Sequence, residues 1–198
     1  MTTFINELIS SVVQVLLFSL IPFLTWFFTA RKKQSFFSWI GFKKVTSSKK
    51  ECAKFAIGAV IVCQIMGLIV YRYALSGDWN KSTSAGMGLI GVPSAILNSF
   101  IHTALSEEIL FRGFIQKRLQ KIFSFKIATA IQAVLFGFAH IVLLLNRINF
   151  VEGVVLVVFP IIPGALLAYT NEKKADGSII PSWLMHGFMN ITLRLMQL

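Results

Sequence analysis

The stretch LISSVVQVLLFSLIPFLTWFFTA, residues 8–30, decides the fold class of this chain, and the basic triplet Arg31, Lys32 and Lys33 follows it directly. A helix needs about 20 mostly apolar residues to cross the hydrocarbon core of a bilayer. The stretch is too long and too rich in Phe and Trp for the apolar region of a signal peptide, and no small-residue cleavage site follows it. It is therefore predicted to be a retained transmembrane helix.

The composition of the whole chain agrees with a membrane protein. Of 198 residues, 56% are hydrophobic and 14% are charged, and the mean hydropathy is +0.74. An average soluble domain has about 45–50% apolar and 25% charged residues. The net charge of +11 does not indicate nucleic acid, because the cations lie between apolar stretches rather than on a soluble face. The composition excludes a free-standing soluble core and predicts membrane lipid, not nucleic acid, as a partner.

Six apolar stretches are candidate spans, at residues 8–30, 55–73, 87–118, 127–145, 154–169 and 179–198. The fifth contains Pro160, Pro163 and Gly164 and is predicted to be kinked or broken. We find no internal repeat and no second domain. The predicted fold is an all-α membrane protein, a single integral domain over residues 1–198 built as a bundle of about six transmembrane helices.

The distribution of basic residues predicts the orientation of this bundle. Residues 31–54 hold eight Lys and Arg, residues 112–126 hold five and residues 171–178 hold two, which is 15 of the 19. Because cytoplasmic loops carry an excess of Lys and Arg, these three loops should be cytoplasmic and both termini outside the cell membrane. The segment 35–48 is interpreted as an ordinary basic loop that contacts anionic lipid.

Ionisable residues inside a span are expensive and therefore candidates for function. The third span contains Glu107-Glu108-x-x-x-Arg112. Glu108 and Arg112 are four residues apart and can pair on one helix face, whereas Glu107 is turned about 100° away and is left without a cation. Glu107 is thus a candidate general base. The alternative is that all three are ordinary charges at a helix end.

Two further clusters carry histidine. The fourth span ends in Phe136-x-x-x-His140, and the sixth contains His186-x-x-x-Asn190. His186 and Asn190 share a helix face and can together donate hydrogen bonds to an oxyanion. Each of these side chains could instead hold neighbouring helices together. His102 matches no such pattern and is expected to be a helix-packing residue.

Depth decides whether these clusters can meet. If the third helix continues to Lys121, Glu107 lies roughly 21 Å from that basic end, and His140 lies at the same depth from Lys126. This arrangement requires Arg112 to be buried. A third helix that stopped near Gly113 would leave Glu107 too shallow, and the constellation would fail.

In this order the three motifs resemble the signature of the CPBP intramembrane proteases, which include type II CAAX prenyl endopeptidases and the Abi and bacteriocin-processing or immunity proteins. The motifs occupy residues 107–190. The resemblance implies a catalytic cavity among spans three, four and six. It implies Glu107 as general base, His140 as the residue that positions the water, His186 and Asn190 as oxyanion ligands, and Glu108 with Arg112 as structural support.

The resemblance also implies an intramembrane endopeptidase that acts on a peptide or lipidated protein, such as a CAAX-type prenylated or bacteriocin-like substrate. The preferred mechanism needs no cofactor. Zinc stays an open alternative with Glu107, His140 and His186 as ligands, although the chain lacks a His-Glu-x-x-His motif. A non-catalytic immunity or scaffold protein that binds a peptide in the same cavity is the main rival, and a small transporter is a weaker one.

Overall fold

The computed structural model describes residues 2–74, 81–142, 144 and 146–198. The helices in this part of the chain are α1 (Thr2–Thr29), α2 (Phe36–Ile40), α3 (Lys49–Ala74), α4 (Gly88–Leu119), α5 (Phe125–Ala139), α6 (Phe150–Val158), α7 (Ile161–Tyr169) and α8 (Ile180–Leu195). A turn of π-helix, Thr170–Lys174, continues α7. The described residues contain no strand. The predicted all-α membrane fold is confirmed.

Within the described residues, four helical segments are long and apolar enough to cross a membrane: Thr2–Thr29, Lys49–Tyr73, Gly88–Leu119 and Phe150–Lys174. The last of these is broken between α6 and α7, next to Pro160, as predicted. The predicted spans at 127–145 and 179–198 are shorter helices of 15 and 16 residues. At 1.5 Å per residue they measure only about 22–24 Å. The predicted end of the fourth span, Leu145, lies outside the described residues.

Capping side chains explain where the shorter helices begin. The Ser124 side chain accepts a hydrogen bond from the backbone of Ile127 at the start of α5. Asn149 and Glu152 form a reciprocal capping box at the start of α6. Pro181 occupies the first turn of α8, where its missing N–H costs no helical hydrogen bond. Local sequence thus fixes the helix starts that flank the site.

The three basic loops meet at one end of the bundle. The Ser47 backbone N–H donates to Asp176 Oδ2 at 2.5 Å, which joins the loop before α3 to the loop before α8. Lys117 Nζ lies 2.8 Å from Glu172 Oε1 and joins α4 to the end of the α7 segment. The loops that the charge pattern assigns to one side of the membrane therefore lie together.

The two ends of the chain lie together at the opposite end. The Gly86 N–H donates to the carbonyl of Gln197 at 2.8 Å, and the Thr83 hydroxyl donates to Glu7 Oε2 at 2.9 Å. Both ends of the described chain are thus remote from the basic loops. This placement agrees with termini on one side, and which side is cytoplasmic stays a prediction.

The segment at residues 35–48 is more ordered than an ordinary lipid-binding loop. It contains α2, whose Trp39 and Ile40 are buried. The guanidinium of Arg118 lies 3.8 Å from the centre of the Trp39 ring. Gly41, with φ +85°, ends the helix in a left-handed conformation, and an added Cβ would lie 2.7 Å from Lys117 Cε. The segment therefore packs against the basic end of α4.

The central element is α4, which contacts α1, α5 and α8. It continues to Leu119, so the condition set by the depth argument is met. Two stretches of π-helix interrupt it, Asn98–Leu105 and Glu108–Gln116. Such i→i+5 turns occur often at functional sites. The two adjacent glutamates lie at the junction between these stretches.

Candidate active site

Glu108 is the centre of a closed polar network. Its carboxylate is fully buried, and Oε1 lies 2.9 Å from Arg112 Nη1, also fully buried. The Ser182 hydroxyl donates to Oε2 at 2.5 Å, and His186 Nδ1 lies 3.0 Å from Oε1. The predicted Glu108–Arg112 pairing and the burial of Arg112 are both confirmed. Two buried charges that compensate each other in this way hold α4 and α8 in one register.

A second shell of hydrogen bonds, which sequence reasoning missed, supports this network. Asn171 Nδ2 donates to the Ser182 hydroxyl at 2.7 Å, and the Ser182 N–H donates to Asn171 Oδ1 at 3.3 Å. Both residues are buried. The one available signal was spacing, because Ser182 precedes His186 by four residues and shares its helix face. Nothing in the local sequence of Asn171 indicates this contact.

Glu107 lies in a different environment. Its side chain is 17% exposed, and its Oε2 lies 3.6 Å from His186 Nε2. That oxygen has no hydrogen-bond partner in the part of the chain that the structure describes. No Lys or Arg forms an ion pair with it there, as the sequence predicts. His186 therefore lies between two carboxylates, one engaged and one available.

Asn190 lies one helical turn beyond His186. Its Nδ2 is enclosed and has no hydrogen-bond partner among the described residues. The close approach of α8 to α4 depends on Gly187, because a Cβ there would overlap the side chain of Phe100. The Trp183 indole donates to the Phe100 carbonyl at 2.6 Å and fixes the same approach. An amide donor on the same face of α8 as His186 is thus available for a ligand.

His140 contacts Phe136, whose ring also contacts the other two motifs. It is the residue that follows α5, and its Nδ1 lies 2.8 Å from the Phe136 carbonyl oxygen. Because that carbonyl only accepts, Nδ1 donates and Nε2 keeps its lone pair. The Phe136 ring lies 4.7 Å from the His140 ring and 5.9 Å from the His186 ring, and its centre lies 4.1 Å from the Arg112 guanidinium. Phe136 is therefore the shared contact of three motifs.

His102 belongs to another cluster, as its lack of a motif predicts. Its Nδ1 lies 3.3 Å from the Ser10 hydroxyl and 3.6 Å from Glu7 Oε1. Asn98 Nδ2 donates to the same Glu7 oxygen at 2.5 Å. These contacts join α4 to α1, which is a helix-packing role.

Comparison with known proteins agrees with the geometry. Residues 89–192, slightly more than half of the chain, match the family model of type II CAAX prenyl endopeptidases, Rce1-like. The chain belongs to this family. No curated protein and no solved structure matches it.

Membership in the Rce1-like family confirms the resemblance to CPBP intramembrane proteases. All three motifs, at residues 107–190, lie inside the matched segment. The family is one of intramembrane CAAX-type endopeptidases that act on peptide or prenylated protein substrates in membranes. The apolar helices of the Rce1-like chain place it in a membrane. Polar groups inside a membrane bundle must be shielded from lipid, and Glu108 and Arg112 are fully buried.

The side chains of this Rce1-like protein do not form a zinc-ligand set. Within the described ranges, no three His, Cys, Asp or Glu side chains are grouped so that they could hold a metal ion. Of the set predicted for zinc, Glu107 and His186 lie near each other, but His140 is not grouped with them in the described part of the chain. We therefore derive no step through a metal.

A groove of about 860 Å³ lies between α3 and α8, away from this site. Its α8 lining includes Leu184, Phe188 and Thr192. These residues lie on the face of α8 opposite to His186 and Asn190, as helical geometry requires. The groove and the catalytic candidates are thus separated by the width of one helix.

Proposed function

We propose that this protein is an intramembrane endopeptidase that hydrolyses a peptide bond of a membrane-associated substrate of the CAAX type, with Glu107 as its general base. The observation that carries this proposal is the unpaired Oε2 of Glu107, 3.6 Å from His186 Nε2 inside a membrane bundle. An acceptor without a partner is costly in such a place. A reacting water is the ligand that it suits.

The first step is the activation of this water. Glu107 takes a proton from the water, and the resulting hydroxide attacks the carbonyl carbon of the scissile bond. Glu107 then gives the proton to the leaving nitrogen as the C–N bond breaks, which leaves a carboxylic acid and an amine. Family membership supports this chemistry, as does the position of Oε2, which is enclosed without a hydrogen-bond partner among the described residues on a side chain that is 17% exposed.

His186 and Asn190 are proposed to stabilise the tetrahedral oxyanion. Asn190 Nδ2 is a donor without a partner among the described residues, so binding an oxyanion breaks no existing hydrogen bond. Glu108 accepts from His186 Nδ1, which fixes the orientation of the ring so that its Nε2 faces Glu107. Preorganised donors of this kind are commonly the largest single contribution to acyl-transfer catalysis.

Glu108 and Arg112 are proposed to support the site without touching the substrate, since both are fully buried. His140 is proposed to position the water. Its Nε2 is the acceptor nitrogen, and its ring is held against Phe136.

The test is cleavage of a farnesylated CAAX peptide by the full chain in liposomes. Glu107→Gln preserves the size of the side chain and removes the base, so the rate should fall by roughly 10²–10⁴. Glu51→Gln is the matched control, because Glu51 is an exposed carboxylate whose ion pair in the described part of the chain is with the exposed Lys54. This control should cleave at the wild-type rate.

Full activity in the Glu107→Gln protein would overturn the mechanism. If the wild-type protein binds the peptide without cleaving it, and Glu107→Gln binds it equally well, the immunity or scaffold alternative replaces the protease. Circular dichroism and gel filtration in detergent establish that each variant is folded before its rate is compared.

A further inference from the structure

Arg194 extends the polar face of α8 beyond the catalytic candidates. His186, Asn190 and Arg194 follow each other at intervals of four residues, so all three lie along one side of the helix. The backbone of α8 rises about 12 Å from His186 to Arg194. No motif of the sequence includes Arg194, and the proposed hydrolysis does not use it.

The Nε of Arg194 is enclosed and has no hydrogen-bond partner among the described residues. Glu7 and Glu107 are close enough to interact with the Arg194 guanidinium electrostatically. Glu7, however, already accepts hydrogen bonds from Thr83 and Asn98. A cationic side chain with an enclosed N–H that lacks an acceptor is expensive in a membrane bundle, which marks Arg194 as a candidate binding residue.

Polar atoms without hydrogen-bond partners in the described part of the chain extend from the site to Arg194, and we call this row of atoms the unsatisfied strip. Glu107 Oε2 and Asn190 Nδ2 are the neighbouring groups without partners in the described part of the chain. Arg194 acts electrostatically on Glu107, so the strip continues from the site to the guanidinium. A ligand that fits it carries an amide at the site and an anion one to two helical turns away.

We propose that Arg194 binds the C-terminal carboxylate of the peptide substrate, an inference that rests on the proposed endopeptidase function. The carboxylate of a CAAX sequence belongs to its last residue. A cut anywhere within those four residues leaves at most three residues between the scissile bond and the carboxylate, and three extended residues span about 10 Å. This length matches the rise from His186 to Arg194. Arginine binds a carboxylate through two parallel hydrogen bonds, which gives geometric specificity as well as affinity.

The experiment compares two farnesylated CAAX peptides, one with a free C-terminal carboxylate and one with a C-terminal amide. The wild-type protein should favour the acid by roughly tenfold to a hundredfold in kcat/KM, mainly through KM. Arg194→Gln should lose this preference and cleave both peptides as slowly as the wild type cleaves the amide. Arg194→Lys should restore part of it, since a charge without the planar fork still attracts the carboxylate.

Arg72→Gln is the matched control, because Arg72 is exposed at the end of α3, and it should keep the wild-type preference. Equal cleavage of acid and amide by the wild-type protein would overturn the proposal while leaving the protease intact. An equal loss on both peptides in Arg194→Gln would also overturn it, because this result indicates a structural role.

A binding measurement tests carboxylate recognition by Arg194 independently of the proposed protease activity. Fluorescence anisotropy reports the affinity of both labelled peptides for the wild-type and Arg194→Gln proteins, whether or not cleavage occurs. A preference for the acid that disappears in Arg194→Gln supports carboxylate binding even if the protein is not a protease. Equal affinities for acid and amide in the wild-type protein overturn it.

Discussion

Glu107 and Glu108 are adjacent in the chain but lie in two different regions of the bundle. The Glu108 region is closed: its carboxylate is fully buried and contacts Arg112, Ser182 and His186. The Glu107 region is open, and it contains polar atoms of Glu107 and Asn190 without partners among the described residues. The two side chains face different regions because adjacent residues of a helix point about 100° apart. Both oxygens of the Glu108 carboxylate have partners that hold α4 and α8 together, while Oε2 of Glu107 has no hydrogen-bond partner among the described residues and can accept a hydrogen bond from a ligand.

The comparison also explains the role of His186. One nitrogen of its ring belongs to the closed region through Glu108, and the other faces Glu107. A histidine fixed on one side by a carboxylate has a defined orientation on the other. The closed region thereby positions a group of the open region.

The largest expected effect comes from breaking the closed region. Arg112→Met leaves the Glu108 carboxylate buried without its cation, which should destabilise the protein by about 3–5 kcal/mol. Thermal unfolding in detergent measures this loss as a lower melting midpoint. Glu107→Gln removes no ion pair and should melt close to the wild-type protein.

The double variant Glu108→Leu with Arg112→Met is the control for this prediction. It removes both charges together and should recover much of the stability, although it releases His186 and should remain inactive. A melting midpoint of Arg112→Met equal to that of the wild type would mean that the Glu108 network does not stabilise the fold.

A smaller loss of stability is expected when α8 is moved away from α4, the two helices that carry Glu107 and Asn190. In Gly187→Ala the added Cβ overlaps the Phe100 side chain, so α8 must move away from α4. Overpacking of this kind costs about 1–3 kcal/mol and should increase the distance between His186 and Glu107. The cleavage rate should fall together with the melting midpoint.

Gly58→Ala on α3 is the matched control, because nothing lies within 4 Å of a Cβ at that position. Alanine favours the helix interior over glycine by about 0.5–1 kcal/mol, so this variant should be as stable as the wild type or more so. Unchanged activity in Gly187→Ala would show that the close contact of α8 with α4 does not set the site geometry.

The smallest effect on stability is expected at Asp176. This exposed carboxylate accepts as many hydrogen bonds as the buried carboxylate of Glu108 has donors. Hydrogen bonds from the Thr46 hydroxyl and the Ser47 backbone hold the pKa of Asp176 below its usual value. Because the folded-state pKa is lowered, the stabilisation is present above the unfolded-state pKa and is lost as the pH falls through the folded-state value. Asp176→Asn should therefore be slightly less stable than the wild type at neutral pH, and this difference should begin to shrink near the unfolded-state value of about pH 4 and vanish only below the lower folded-state pKa.

The melting midpoints of both proteins against pH measure this difference, with Glu51→Gln as the control. Asparagine tolerates the φ of +53° at this position, so the substitution adds no backbone strain. A difference that stayed constant with pH would mean that the charge of Asp176 is not the cause. Such a result would weaken the contrast between exposed and buried carboxylates.

Much of the site could be predicted from residue spacing, and the rest could not. The spacing of four between Glu108 and Arg112 predicts their pairing, which the structure confirms. Contacts between helices are different, because Asn171 meets Ser182 across a turn and no periodicity relates them. The structural role of Phe136, which contacts three motifs, also depends on how helices cross.

By itself, the sequence determined that this is a helical membrane protein, and it predicted which residues carry its chemistry. Apolar length, flanking charge and i,i+4 spacing are local properties, and they are set before the helices meet. Only the tertiary structure decided that His186 lies between Glu107 and Glu108 and that Arg194 Nε lacks a hydrogen-bond partner in the described part of the chain. Whether a buried polar atom is satisfied depends on atoms from distant parts of the chain, and packing alone brings those atoms together.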